Sequence, residues 1–128
     1  MPSLKTILRL NAASCLGFGA VFLTLPGSVA AFLGAPPAPA WLLAALGAAL
    51  IVNGAHLILA SRQALPPKAL ILYFSAGDFA WVLATLGLIA SATWITRPEG
   101  LIAALLVAAF VGWAGVSQLF ARKALGHC

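Results

Sequence analysis

The sequence predicts an all-α fold: a four-helix transmembrane bundle, up-down-up-down, with the N and C termini cytoplasmic. Three observations carry that prediction. First, the chain is 63% hydrophobic and only 7% charged, where a soluble domain carries roughly a quarter of its residues charged. Its mean hydropathy is +1.10. Second, four apolar stretches fill it, each close to the roughly 20 residues that a spanning helix needs. Third, the seven Lys and Arg residues sit at the ends of those stretches. Lys5 and Arg9 open the first, Arg62 and Lys68 lie between the second and third, and Arg122 and Lys123 follow the fourth. The remaining connections hold only Arg97, beside Glu99. Cationic loops stay in the cytoplasm, so the pattern orients all four spans.

Span one covers residues 6–25. Pro26-Gly27 ends or sharply bends it, because a proline ring clashes with the preceding turn. Residues 28–33 read as a short interfacial helix. Gly34 to Pro39 holds three prolines and forms a stiff uncharged loop. Trp41 opens span two, residues 41–61, at the interface where tryptophan prefers to sit. Pro66-Pro67 closes a short turn, and span three covers residues 69–93 with Trp94 as its anchor. Thr96 to Gly100 turns the chain, and Pro98 suits the first turn of span four, residues 101–120. Little chain is left for anything beyond one integral membrane domain, 1–128.

Several other classes fall away. A net charge of +5 invites a nucleic-acid reading, but the cations are scattered at membrane edges without interleaved aromatics. They fit contact with anionic lipid instead. Cys15 lies inside span one and Cys128 at the cytoplasmic tail, which predicts reduced thiols. His127-Cys128 reads as an unstructured tail rather than an ion site. A secretory signal could be drawn from Lys5 to Ala30, but the apolar run favours a retained span.

Small residues recur at packing intervals: Ala40, Gly47, Gly54 and Ser61 in span two, Ala76, Ala80 and Ala84 in span three, Ala104, Ala108 and Gly112 in span four. Such stripes let backbones approach where lipid supplies no hydrophobic drive. An internal repeat is suggested at an offset of 61 residues, with Ser14 on Ser75, Phe18 on Phe79 and Gly54 on Gly115. Both hairpins run the same way, as in a parallel duplication.

The polar residues inside the spans cluster toward the cytoplasmic edge. Counted inward from Lys5, Arg62, Lys68 and Arg122, Gln118 lies at about 6 Å, and His56 and Asn11 at about 9 Å. Asn53, Ser14, Cys15 and Asp78 follow at about 13–15 Å. Asp78, Asn53, His56, Cys15, Ser14 and Asn11, together with Trp81 one turn beyond Asp78, outline an intramembrane polar pocket centred on Asp78. A charge at such depth costs about 2.5–3.5 kcal/mol, so Asp78 must be paired, protonated or wet. Asn53 and His56, three residues apart on span two, are its expected partners. Two readings stand: hydrogen-bonded glue between spans two and three, or a functional site. Arg9 is expected to snorkel to the headgroups.

Catalytic chemistry finds no footing. The serines lie in helices without a nucleophile elbow, and paired carboxylates are absent, Glu99 being on the outer side and far from Asp78 within its span. Cys15, His56 and Asp78 lack a metal-site spacing, so no metal and no cofactor is expected. Leu25-Pro26-Gly27 with Phe32-Leu33-Gly34, the Leu46-Gly47 and Asn53-Gly54 stretches, and Asp78 to Val82 resemble small bacterial four-helix inner-membrane proteins. In size and layout the chain is remotely similar to the DoxX-like group. That resemblance implies a fold and the bacterial inner (plasma) membrane, and brings no catalytic residue.

The leading expectation is a non-enzymatic accessory or scaffold protein, packing through its helices against itself or a larger membrane complex. The alternative is a small proton-coupled transporter or carrier using Asp78, with Asn53 and His56 lining its pocket. Expected partners are the lipid bilayer and a homo-oligomer or larger complex, with no nucleic acid.

Overall fold

A computed structural model of the protein describes residues 3–125, so the expectations for His127 and Cys128 lie outside the described residues. The described chain is helical: α1 Leu4–Thr24, α2 Pro26–Leu33, α3 Ala40–Ser61, α4 Lys68–Ala90 and α5 Pro98–Leu125. All but α2 are long and apolar enough to cross a membrane, and the protein is a small multi-pass membrane protein built as a four-helix bundle.

Local chemistry explains the ends. The Ser3 hydroxyl accepts from the Thr6 amide and caps α1. Leu25 breaks the helix at φ −130°, ψ 50°, and Pro26 starts α2 at once, where its missing N–H costs nothing. Pro39 and Pro67 stand just ahead of α3 and α4. Glu99 sits in the first turn of α5 and Arg122 and Lys123 in its last, complementing the helix dipole.

Two boundaries differ from the sequence reading. Span three stops at Ala90 rather than 93, because the Ala92 and Thr93 amides bond back to the Ile89 and Leu88 carbonyls. That is a Schellman closure, with Ala92 at φ 53° where glycine is usual. Span four runs from Pro98 to Leu125, longer at both ends than 101–120.

Two hairpins organise the bundle. α1 packs on α3, α4 packs on α5, and an α1–α5 contact joins the pairs. The α1–α3 crossing is very close. A β-carbon on Gly19 would lie 2.8 Å from the Gly47 carbonyl oxygen, and one on Gly47 would lie 2.7 Å from that of Gly19. The backbones of α3 and α4 scarcely approach. They meet through side chains near the end that carries Lys5, Arg62, Lys68 and Lys123, here called the cationic end. There Leu57 and Ala60 of α3 share a core with Leu4, Leu8, Ile71 and Phe74. The Arg122 Nε donates to the Pro66 carbonyl at 2.6 Å and pins the α3–α4 turn to α5. At the opposite end, the Thr96 and Arg97 amides donate to the Leu33 carbonyl, tying α2 to the start of α5.

Candidate functional site: a polar network beside a lateral cleft

The site starts from Asp78, on the buried side of α4 and 6% exposed. Its carboxylate accepts from neutral amides. Asn11 Nδ2 of α1 donates to Oδ2 at 3.1 Å and Oδ1 at 3.4 Å, and Gln118 Nε2 of α5 donates to Oδ2 at 3.1 Å. The same Asn11 amide donates to Gln118 Oε1 at 2.8 Å. Gln118 also donates to the Ser75 hydroxyl, which donates onward to the Gly115 carbonyl at 2.8 Å. On the other side the Cys15 thiol donates to Asn11 Oδ1 at 3.7 Å, and Asn53 Nδ2 of α3 donates to Cys15 Sγ at 3.5 Å. One chain of hydrogen bonds therefore touches all four spanning helices.

This network corrects the expected pairing. Asn53 bonds Cys15 rather than Asp78, and His56 is exposed, its ring against Tyr73 and edge-on to Phe74. The reason is the close crossing on α1. Gly47, Gly54, Leu57 and Ser61 form the buried face of α3. His56, two residues past Gly54, lies roughly 200° round the helix. The expected glue between spans two and three is thus glue between α1, α4 and α5. Gln118 and Ser75, outside the expected site, are central to it. Counting from Arg122 as the membrane edge makes Gln118 shallow, yet Arg122 is buried and α5 continues to Leu125. Arg9 is exposed and stays out of the network.

Where α3 and α4 part, a cleft opens. Its inner chamber, about 510 Å³, is lined by Asn11, Ser14, Cys15, Asn53, Asp78 and Trp81 among others. An adjoining chamber of about 510 Å³ runs toward the opposite end and is almost wholly apolar, walled by α2 and by residues such as Phe22, Leu42 and Leu88. Phe18, Leu46, Trp81 and Val107 border both. The Phe22 and Trp81 rings stack at 6.4 Å. The shared core of Leu57 and Phe74 closes the cleft toward the cationic end, so it opens sideways, where a bilayer would surround the bundle.

Ser14 is half-buried in the inner wall, and its hydroxyl has no hydrogen-bond partner among the described residues. The Asn53 carboxamide oxygen is equally free. Of the seven expected site residues, six meet in this region and His56 does not. Among the described residues no group of three His, Cys, Asp or Glu side chains could hold a metal. Chemically the arrangement offers a polar corner with unused acceptors, one carboxylate, and a long apolar wall. Comparison of the chain with protein families, curated proteins and solved structures finds no match.

Proposed function

We propose that this protein is a small, non-enzymatic membrane protein that binds or carries a membrane-dissolved molecule in the cleft between α3 and α4. The observation that carries the reading is the cleft itself: sideways-opening, apolar along most of its length, and polar at one closed end. Small-molecule sites have this character, with apolar walls, a few converging polar groups and a volume of some hundreds of Å³. The cation distribution supports a bacterial inner membrane with both termini in the cytoplasm, which puts the polar corner in the inner half of the bilayer. The Ser75 hydroxyl donates to the Gly115 carbonyl rather than to a base, which supports a role without catalysis.

A second reading, the accessory or scaffold role, draws on a different observation. Gly77 and Gly87 of α4 have open space where a β-carbon would project, and Ala76, Ala80 and Ala84 are exposed beside them. Such a face suits the helix of another subunit.

The two readings separate in a quenching experiment. Trp81 is kept as the sole tryptophan, and 11-bromoundecanol is titrated into bilayers holding the protein. Binding in the cleft gives saturable quenching that Ala49→Phe, filling the cleft from α3, abolishes. Quenching that rises linearly and ignores Ala49→Phe rules out a ligand seat and favours the helix-docking role.

A further inference from the structure

We infer that the cleft selects a lipophilic cation: a molecule whose positive centre rides on an apolar body. The inference rests on the reading of the cleft as a ligand seat and adds the chemistry of its occupant.

Charge is the first ground. Among the described residues Asp78 is the one carboxylate bordering the cleft, and no Lys, Arg or His of these borders either chamber. Its hydrogen-bond partners are neutral amides, which orient the carboxylate without supplying a positive charge. A carboxylate can accept about four hydrogen bonds, and here Oδ1 has only the single 3.4 Å contact. In a low-dielectric surrounding, an unneutralised carboxylate attracts a cation strongly and repels an anion. Anionic amphiphiles are therefore disfavoured at this corner.

The second ground is what surrounds the carboxylate. Tyr73, Trp81 and Phe18 border the inner chamber, and aromatic faces stabilise a desolvated cation through their quadrupoles. The free Ser14 hydroxyl and Asn53 carboxamide oxygen add two acceptors on the facing walls. A cation thus meets a carboxylate, aromatic faces and neutral acceptors together. Its apolar body then extends past Trp81 into the apolar chamber. That route is continuous with the hydrocarbon in which such molecules dissolve, so no aqueous pore is needed for entry.

The test compares one chain with three head groups. Dodecyltrimethylammonium, dodecanol and dodecanoate are titrated into protein-containing nanodiscs of neutral phosphatidylcholine. Signals are corrected with empty nanodiscs, and Trp81, as sole tryptophan, reports binding. The expected result is binding of the ammonium at least tenfold tighter than of dodecanol, with dodecanoate weakest. Asp78→Asn should cut the ammonium affinity at least tenfold, to about that of dodecanol for the same variant. Equal affinity for ammonium and dodecanol overturns the inference while leaving the cleft as a ligand seat. A preference that survives in Asp78→Asn overturns the role of Asp78. Failure of all three amphiphiles to bind removes the cleft reading itself. The head-group comparison in the single-tryptophan protein that keeps Asp78 decides the matter even where Asp78→Asn does not fold.

Discussion

Asn11 ties α1 to both helices of the second hairpin. Its amide reaches Asp78 of α4 and Gln118 of α5, and its carbonyl accepts the Cys15 thiol. Interhelical hydrogen bonds inside membranes average only about 0.6 kcal/mol, because the helices also find partners when separated. Losing several at once, with the polar partners left buried, is more costly. Asn11→Leu and Gln118→Leu should each destabilise the fold by about 1–2 kcal/mol, measured by denaturant titration in mixed micelles. The double substitution should cost less than the sum, since both singles already lose the Asn11–Gln118 bond. Additive losses would mean that the two amides act separately. That Asp78 is buried with partners was readable from the sequence, because a lone acid among apolar residues announces that requirement. The partners were not readable. Every spanning helix is apolar around most of its circumference, so hydrophobic periodicity does not say which face turns inward. Asn53 and His56 were drawn together by spacing alone, and His56 faces outward.

Among the elements, the α1–α3 crossing and the end of α4 have definite consequences. Gly19 and Gly47 leave no room for a side chain between the two helices. Gly47→Leu must push them apart and should cost about 1–3 kcal/mol. Gly77→Leu, on α4 where nothing lies within 4 Å, should be close to neutral in the same denaturant titration. Equal losses at both positions would contradict the crossing. At the other end of α4, Ala92 occupies a left-handed position, φ 53°, inside a Schellman closure. Ala92→Gly removes that strain and should raise stability by about 0.5–1 kcal/mol, read as a higher melting temperature. The span-two stripe was legible: Gly47, Gly54 and Ser61 are buried as their seven-residue spacing foretold, although Ala40 is exposed. The span-three stripe of Ala76, Ala80 and Ala84 is exposed instead. Alanine is too frequent in such helices for its spacing to mark a contact. The suggested repeat has a structural counterpart in one place. Gly54 packs on Leu16 and Ala12 of α1, and Gly115 on Phe79 and Asp78 of α4.

For the whole molecule, the decisive feature is that four helices do not close into a complete ring of contacts. The up-down-up-down bundle and the number of spans were legible in the four apolar stretches and the prolines between them. The opening between α3 and α4 was not. It follows from how tightly glycine draws α3 onto α1 and from how Asn11 and Gln118 draw α4 toward α1 and α5. Both are three-dimensional choices among faces that look alike in sequence. The measurement that tests this opening most directly is disulfide trapping in membranes, with Cys15→Ser and Cys128→Ser as the background. Val82→Cys with Gly112→Cys sits at a true α4–α5 contact, where a Gly112 β-carbon would lie 3.6 Å from Val82 Cγ2. Leu46→Cys with Ala84→Cys faces the cleft from its two walls. A disulfide needs α-carbons within about 7 Å. The account predicts rapid oxidation of the α4–α5 pair and none of the cross-cleft pair, which a long bis-maleimide bridges instead. Cross-cleft oxidation as fast as that of the α4–α5 pair would show α3 packed on α4, with no room for a ligand between them.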